Sequence, residues 1–120
     1  MKAMLVMVHG SPRPASNIDM FAVVDEVRNQ GTFPIVEVGF MECNDPSIPV
    51  AIDRCVAAGA TEIIAVPYFL HTGKHVTDDL PNLLEQGQSR YPAVRFLMSD
   101  YLGHDPIIAD VLMDRVKEAA

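Results

Sequence analysis

Four histidines, His9, His71, His75 and His104, each fall just after an apolar run with strand character. Glu42 and Cys43 follow another such run. Near neutral pH an imidazole can ligate a borderline divalent cation or accept a proton. A carboxylate beside it can orient the ring, offset the charge of a cation or relay a proton. Around these groups stand Ser11, Arg13, Thr72 and Lys74, whose donors suit anions. Two imidazoles and one carboxylate leave coordination positions open, so the combination describes a site for a passing metal beside a place for carboxylates.

Taken singly, each residue has a plainer reading. His9 reads as a strand-end histidine bonded to a carbonyl, His71 as a pocket wall or surface residue, and Glu42 as a solvated loop carboxylate. Cys43 reads as a half-buried filler, His104 as a residue orienting the Asp105-Pro106 turn, and Met7, Met41 and Met98 as core. His71 and His75 form H-x-x-x-H, a metal pair if helical. Gly73 lies between them, however, and the segment precedes the helix start expected near Asp78 and Asp79, so both are expected in a loop.

The elements that must position these groups alternate. Strands are expected at Met4–Val8, Phe33–Met41, Thr61–Phe69 and Ala93–Met98. The third is a near-continuous apolar run, as for a strand covered on both faces, and the second alternates through Glu37 and Gly39, as for an edge. A first helix is expected to open with a Ser16–Asp19 capping box, to lie on Phe21, Val24 and Val27, and to stop at Gly31. A second follows Ser47 with a stripe of Ile48, Ala51, Ile52, Cys55 and Val56. The third runs from about Asp79 to Tyr91 on Leu80, Leu83 and Leu84. The fourth is capped by Asp105 with Pro106 first, and Ile108, Val111, Leu112, Val116 and Ala119 are expected as its buried stripe. Four βα units predict an α/β fold, residues 1–120 as one domain: a four-stranded parallel sheet with helices on both faces, flavodoxin-like strand order 2-1-3-4. The switch point then lies between strands one and three, beyond their carboxyl ends, where His9 and the 71–75 loop meet.

The 120 residues are 49% hydrophobic and 21% charged, with a net charge of −7 and no basic run, which argues against nucleic acid and anionic membrane surfaces. The two cysteines, Cys43 and Cys55, form no CxxC, so a structural zinc cluster is not expected and a reducing cytoplasm fits. The apolar stretch Ala3–Val8 is too short for a signal-peptide core, and no stretch approaches membrane-spanning length.

Four stretches carry a family resemblance. They are VPYFLHTGKHVTDDLP at 66–81, VMVHGS at 6–11, FMECNDPSI at 40–48 and LGHDPIIADVLMDR at 102–115. In order and at compatible spacing they resemble the class II tetrapyrrole chelatases of the sirohydrochlorin type, in their short cobaltochelatase form. The resemblance covers essentially the whole chain. It implies insertion of a divalent metal, Co2+, Fe2+ or Ni2+, into sirohydrochlorin, with the metal as substrate and no resident cofactor. It maps the family's metal-site histidines onto His9 and His75 and its acidic residue onto Glu42, giving the three expected catalytic residues. Gly10, Ser11, Arg13, Phe69, Leu70, His71, Thr72, Gly73 and Lys74 are expected around the tetrapyrrole, with Gly10 and Gly73 letting backbone approach the flat ring. One departure stands: Pro12 follows His-Gly-Ser where the family often has arginine, which moves the arginine to 13. Because long members contain two related halves and this chain supplies one, a homodimer is expected.

Two rival readings stand beside this one: a non-enzymatic flavodoxin-like binding module, in a flavin-binding or a phospho-receiver form, and a metallochaperone. A flavin-binding module would need a hydroxyl- and glycine-rich phosphate loop after strand one, and HGSPRPAS has one glycine and two prolines. A phospho-receiver would need aspartates there, where this chain has His9. A metallochaperone that binds metal without a tetrapyrrole is the remaining alternative.

Overall fold

The computed structural model describes residues 1–103 and 105–120; His104, and with it the turn-orienting role expected of it, lies outside the described residues. The strands are β1 (Lys2–Val8), β2 (Ile35–Phe40), β3 (Glu62–Pro67) and β4 (Arg95–Met98), and the helices are α1 (Ile18–Gln30), α2 (Ile48–Ala57), α3 (Leu80–Arg90) and α4 (Pro106–Ala119). All strand pairs are parallel and the order is β2-β1-β3-β4, as expected. Among the described residues no helix is long and apolar enough to cross a membrane.

Alternation along β1 divides the core. Ala3, Leu5 and Met7 face α2 and α3, where Ile48, Ala51, Ile52, Cys55, Leu80 and Leu84 complete the larger cluster. Val6 and Val8 face α1, with Met20, Val24, Val36, Val38 and Phe40. The α2 stripe is therefore as expected, and Ser47 caps the helix by accepting from the Val50 N–H. Burial, and then the nearby Glu37 charge, pushes the Cys55 thiol up to about 12, so this cysteine acts as a small core residue.

Several expectations are corrected. The 3₁₀ turn Pro14–Asn17 leads directly into α1, and Asn17 takes the N-cap position without a side-chain cap bond, so the Ser16–Asp19 capping box does not form. The buried pair on α1 is Met20 and Val24, while Phe21 is 41% exposed and meets Phe40 edge-on. β2 is an edge strand, as expected, but it is less exposed than the alternation suggests: Gly39 is buried, and α2 crosses it so closely that a Cβ there would lie 2.8 Å from the Ile48 Cα. On β3 only Ile63, Ala65 and Pro67 are buried, and Ile64 and Val66 are half-buried, so the apolar run is covered on one face. Met98 is exposed on the short edge strand β4, and Cys43 is exposed too. Finally, α4 buries none of its residues, contrary to the expected stripe.

The third helix begins earlier than the sequence suggests. A π-helical turn, His75–Asp79, runs without a break into α3, with the Leu80 N–H bonded to the His75 carbonyl. The reason is Pro81. Inside a continuous α-helix its ring would clash with the carbonyl four residues back and no N–H would serve it, whereas a widened turn tolerates both. Val76 and Leu80, one turn apart, pin this segment to the core.

Gly39→Ala is expected to destabilise the fold by about 1–3 kcal/mol, because the new methyl meets helix backbone that cannot rotate away. Urea unfolding of the two proteins checks this; an unchanged midpoint would contradict the close crossing.

Candidate functional site

Parallel pairing does not stop where the strands end. The Met41 N–H donates to the Val8 carbonyl at 2.8 Å and the Glu42 N–H to the His9 carbonyl at 3.1 Å, so the chain after β2 keeps step with the chain after β1. On the other side the Tyr68 N–H donates to the Met7 carbonyl at 2.9 Å. His9 is thereby held between the Glu42 loop and the chain leaving β3. Gly10 has φ +94°, and a Cβ there would collide with the Glu42 carbonyl oxygen. Its glycine is thus required by contact with the protein's own backbone. Asn44 locks the same junction: its Oδ1 accepts from the Ser11 N–H at 2.7 Å and from Asn17 Nδ2 at 3.2 Å.

The side chains follow from this frame. His9 Nε2 lies 3.0 Å from Glu42 Oε1, and its Nδ1 lies 3.0 Å from the Gly10 carbonyl oxygen. A neutral imidazole has one N–H, so it can donate to only one of these oxygens. The other nitrogen then turns a lone pair toward an oxygen, a contact that a proton or a cation would relieve.

His75 Nδ1 is 2.8 Å from Asp79 Oδ2, one turn along the helix. With the proton on Nδ1, that bond leaves Nε2 with its lone pair free, the form in which histidine binds metal. The His9 and His75 rings stand edge to face with centroids 5.2 Å apart, and Phe69 lies beside His75 at 6.4 Å. Each histidine of the pair therefore has its own carboxylate. Both histidine–carboxylate contacts are open to solvent, with side chains 34–60% exposed, so each adds roughly 0–1 kcal/mol to stability at most. Their orientation of the rings matters more than their contribution to the fold.

The nine residues expected around a tetrapyrrole occupy the same sheet edge. Leu70, His71, Thr72, Gly73, Lys74 and Arg13 are exposed, and Gly10, Ser11 and Phe69 half-exposed. The Arg13 N–H donates to Ser11 Oγ at 3.1 Å, which turns the chain toward the Pro14–Asn17 turn. His75 and Lys74 belong to the helix start and not to the loop, because the helix extends back past Asp79. Among the described residues no three His, Cys, Asp or Glu side chains form a ready-made metal cage. Two residues escaped the sequence reading. Asp79 looked like a helix-start charge; the H-x-x-x-D spacing 75–79 would have exposed it had the helix been started at His75. Asn44, between Cys43 and Asp45, carries no comparable signal.

Gly10→Ala is expected to push the Glu42 loop away and separate Glu42 from His9, with a stability loss of about 1–3 kcal/mol. A crystal structure of the variant checks this. Retention of the 3.0 Å His9–Glu42 contact, with an unchanged thermal midpoint, would contradict it.

Comparison with known proteins bears on this arrangement. The chain is 42% identical over 84 residues to the sirohydrochlorin cobaltochelatase of Methanocaldococcus jannaschii, a match covering 70% of this chain and 59% of that one. It is 30% identical to the sirohydrochlorin cobaltochelatase of Methanococcus aeolicus, covering 98% of this chain and 99% of that one. Among solved structures, the sirohydrochlorin chelatase SirB from Bacillus subtilis subspecies spizizenii in complex with cobalt superposes with a TM-score of 0.92 at 29% identity. That match takes in 98% of this chain and 50% of SirB, so the chain spans about half the length of that relative. The CbiX family model matches residues 3–119, nearly the whole sequence that forms the paired-histidine edge and its sheet, and the chain belongs to the CbiX family.

Proposed function

We propose that this chain is a sirohydrochlorin chelatase that inserts a divalent metal into the tetrapyrrole, with Co2+ favoured and Fe2+ or Ni2+ as alternatives, on the way to cobalamin or sirohaem. The observation that carries the reading is the pair of imidazoles 5.2 Å apart, each backed by a carboxylate, on one open sheet edge. A closed cage would hold a metal permanently; an open pair can pass it on. The metal is a substrate here, and His9 and His75 are its ligands before transfer.

The reaction requires the ion to shed water and two pyrrole N–H protons to leave the macrocycle. His75 supplies the lone pair on Nε2, while Asp79 holds the ring in the matching tautomer. His9 with Glu42 forms a proton-accepting pair: a proton arriving at Nε2 is shared at once with Oε1. Glu42 also offsets the charge of an incoming cation. The rim of half-exposed Ser11 and exposed Arg13, Thr72 and Lys74 brings donors to the peripheral carboxylates of sirohydrochlorin, and Phe69 and Leu70 offer apolar contact to the ring face. In a protein of net charge −7 such a rim focuses positive charge locally.

The partner in this reading is a second copy, as a homodimer. Among the described residues the edge carrying His9 and His75 is open to solvent, and the chain spans half of the SirB chain it superposes on. A reducing cytoplasm suits the free thiols of Cys43 and Cys55.

The test is anaerobic metallation of sirohydrochlorin followed by its absorption spectrum, with each of the three ions and a protein-free blank. Rates above the blank support the reading. Tight metal binding without any acceleration would favour a metallochaperone.

His9→Ala and His75→Ala are each expected to lower the corrected rate more than about tenfold, and His71→Ala to change it less than about threefold, since the His9 and His75 rings stand 5.2 Å apart and can share one ion. Wild-type turnover by His75→Ala would remove the central claim. Asp79→Ala is expected to weaken Co2+ binding about 10–100-fold with little change in thermal midpoint, as loss of an orienting carboxylate does. Titration calorimetry with Co2+ checks this, and an unchanged affinity would show that Asp79 does not orient His75.

A further inference from the structure

Two local costs in this chain fall on one loop. The first is at Cys43, whose φ is +67°, in the left-handed region that a residue with a Cβ seldom adopts. The Asn44 N–H donates back to the Glu42 carbonyl at 2.8 Å and closes a three-residue γ-turn centred on Cys43, of the rarer and strained hand. The second is at Asn17. Asparagine is among the residues best suited to a helix N-cap, and Asn17 stands at that position in α1, yet its side chain makes no cap bond. Its Nδ2 donates to Asn44 Oδ1 at 3.2 Å instead.

Among the described residues Asn17 is the one buried polar side chain, 7% exposed. A buried amide left without a partner is costly, and Asn44 is the partner it has. The same Asn44 Oδ1 accepts from the Ser11 N–H at 2.7 Å, so one oxygen ties together the chain after β1, the start of α1 and the chain after β2. An amide oxygen takes both donors without placing a second negative charge near Glu42.

The residue these bonds fix is Glu42. Its N–H donates to the His9 carbonyl at 3.1 Å, and its own carbonyl accepts from Asn44 and lies against Gly10. The backbone of Glu42 is thus held on both sides, although its side chain is 60% exposed. A carboxylate on a free loop would be spread over many directions. On a fixed backbone it is limited to a few staggered rotamers, one of which meets His9 Nε2 at 3.0 Å. A strained residue other than glycine persists only where its surroundings hold it, and such strain gathers at functional sites.

We infer that Asn44, backed by Asn17, is a positioning residue for metal insertion: it holds the strained turn that aims Glu42 at His9. This rests on the reading of Glu42 as the proton-sharing partner of His9.

The test is a double-mutant cycle on Asn44→Ala, Glu42→Ala and the double variant, with kcat taken from anaerobic metallation of sirohydrochlorin by Co2+ and corrected for a protein-free blank. Asn44→Ala should lower kcat at least about fivefold, and adding it to Glu42→Ala should change kcat less than about twofold, because a residue that acts through Glu42 then has nothing left to position. A merely structural residue would cost as much in both backgrounds. That result, or no loss in either, would overturn the inference and leave the chelatase reading standing. No acceleration by the wild type, or a wild-type kcat in Glu42→Ala, would overturn it together with the reading it rests on. Asn17→Ala leaves the Ser11 bond in place and should show the same pattern with a smaller loss; it takes the place of Asn44→Ala if circular dichroism shows that variant unfolded. If Glu42→Ala leaves no rate above the blank, a crystal structure of the positioning variant decides. A Glu42 carboxylate that has left its 3.0 Å contact with His9 supports the inference, and an unmoved one overturns it.

Discussion

The position of β1 between two parallel neighbours is the constraint on which the site depends. Its pairing with β2 and β3 runs beyond the regular strands, through Glu42 N–H to the His9 carbonyl and Tyr68 N–H to the Met7 carbonyl. These backbone bonds decide which side chains meet. They set Glu42 against His9 and bring the chain that carries His75 to the same edge, although the residues are far apart in sequence. The close fit of Gly10 on the Glu42 carbonyl and the Asn44 bridge allow little slip between the two loops. Contacts between histidine and carboxylate side chains then aim the rings, but they are too exposed to hold the architecture together.

Much of this architecture could be read from residue types alone. Alternating strand and helix patterns led to the sheet order, because short connections and right-handed crossovers leave few alternatives. The clean stripe and serine cap of α2 were legible because all the information is local. The placement of His9, Glu42 and His75 at one edge followed from the rule that ligands gather at the switch point of a parallel sheet.

What escaped was decided by contacts that no local pattern encodes. Asp78, Asp79 and Pro81 look like the start of a helix, yet the helix starts at His75 and absorbs the proline in a widened turn, since burial of Val76 and Leu80 outweighs the local signal. The alternation through Glu37 and Gly39 suggests a less buried edge strand; β2 does lie at the edge, but it is largely buried, and the missing side chain of Gly39 makes room for α2. The α4 stripe is apolar as its spacing suggests but not buried, because periodicity shows which side of a helix is apolar without showing what it packs against.

The most direct test of the account is a crystal of the protein soaked in Co2+ under anaerobic conditions, with anomalous difference density recorded at the cobalt edge. The account predicts one strong peak within ligand distance, about 2.0–2.2 Å, of a ring nitrogen on both His9 and His75. A peak bound to other side chains, with the two imidazoles left uncoordinated, would contradict it.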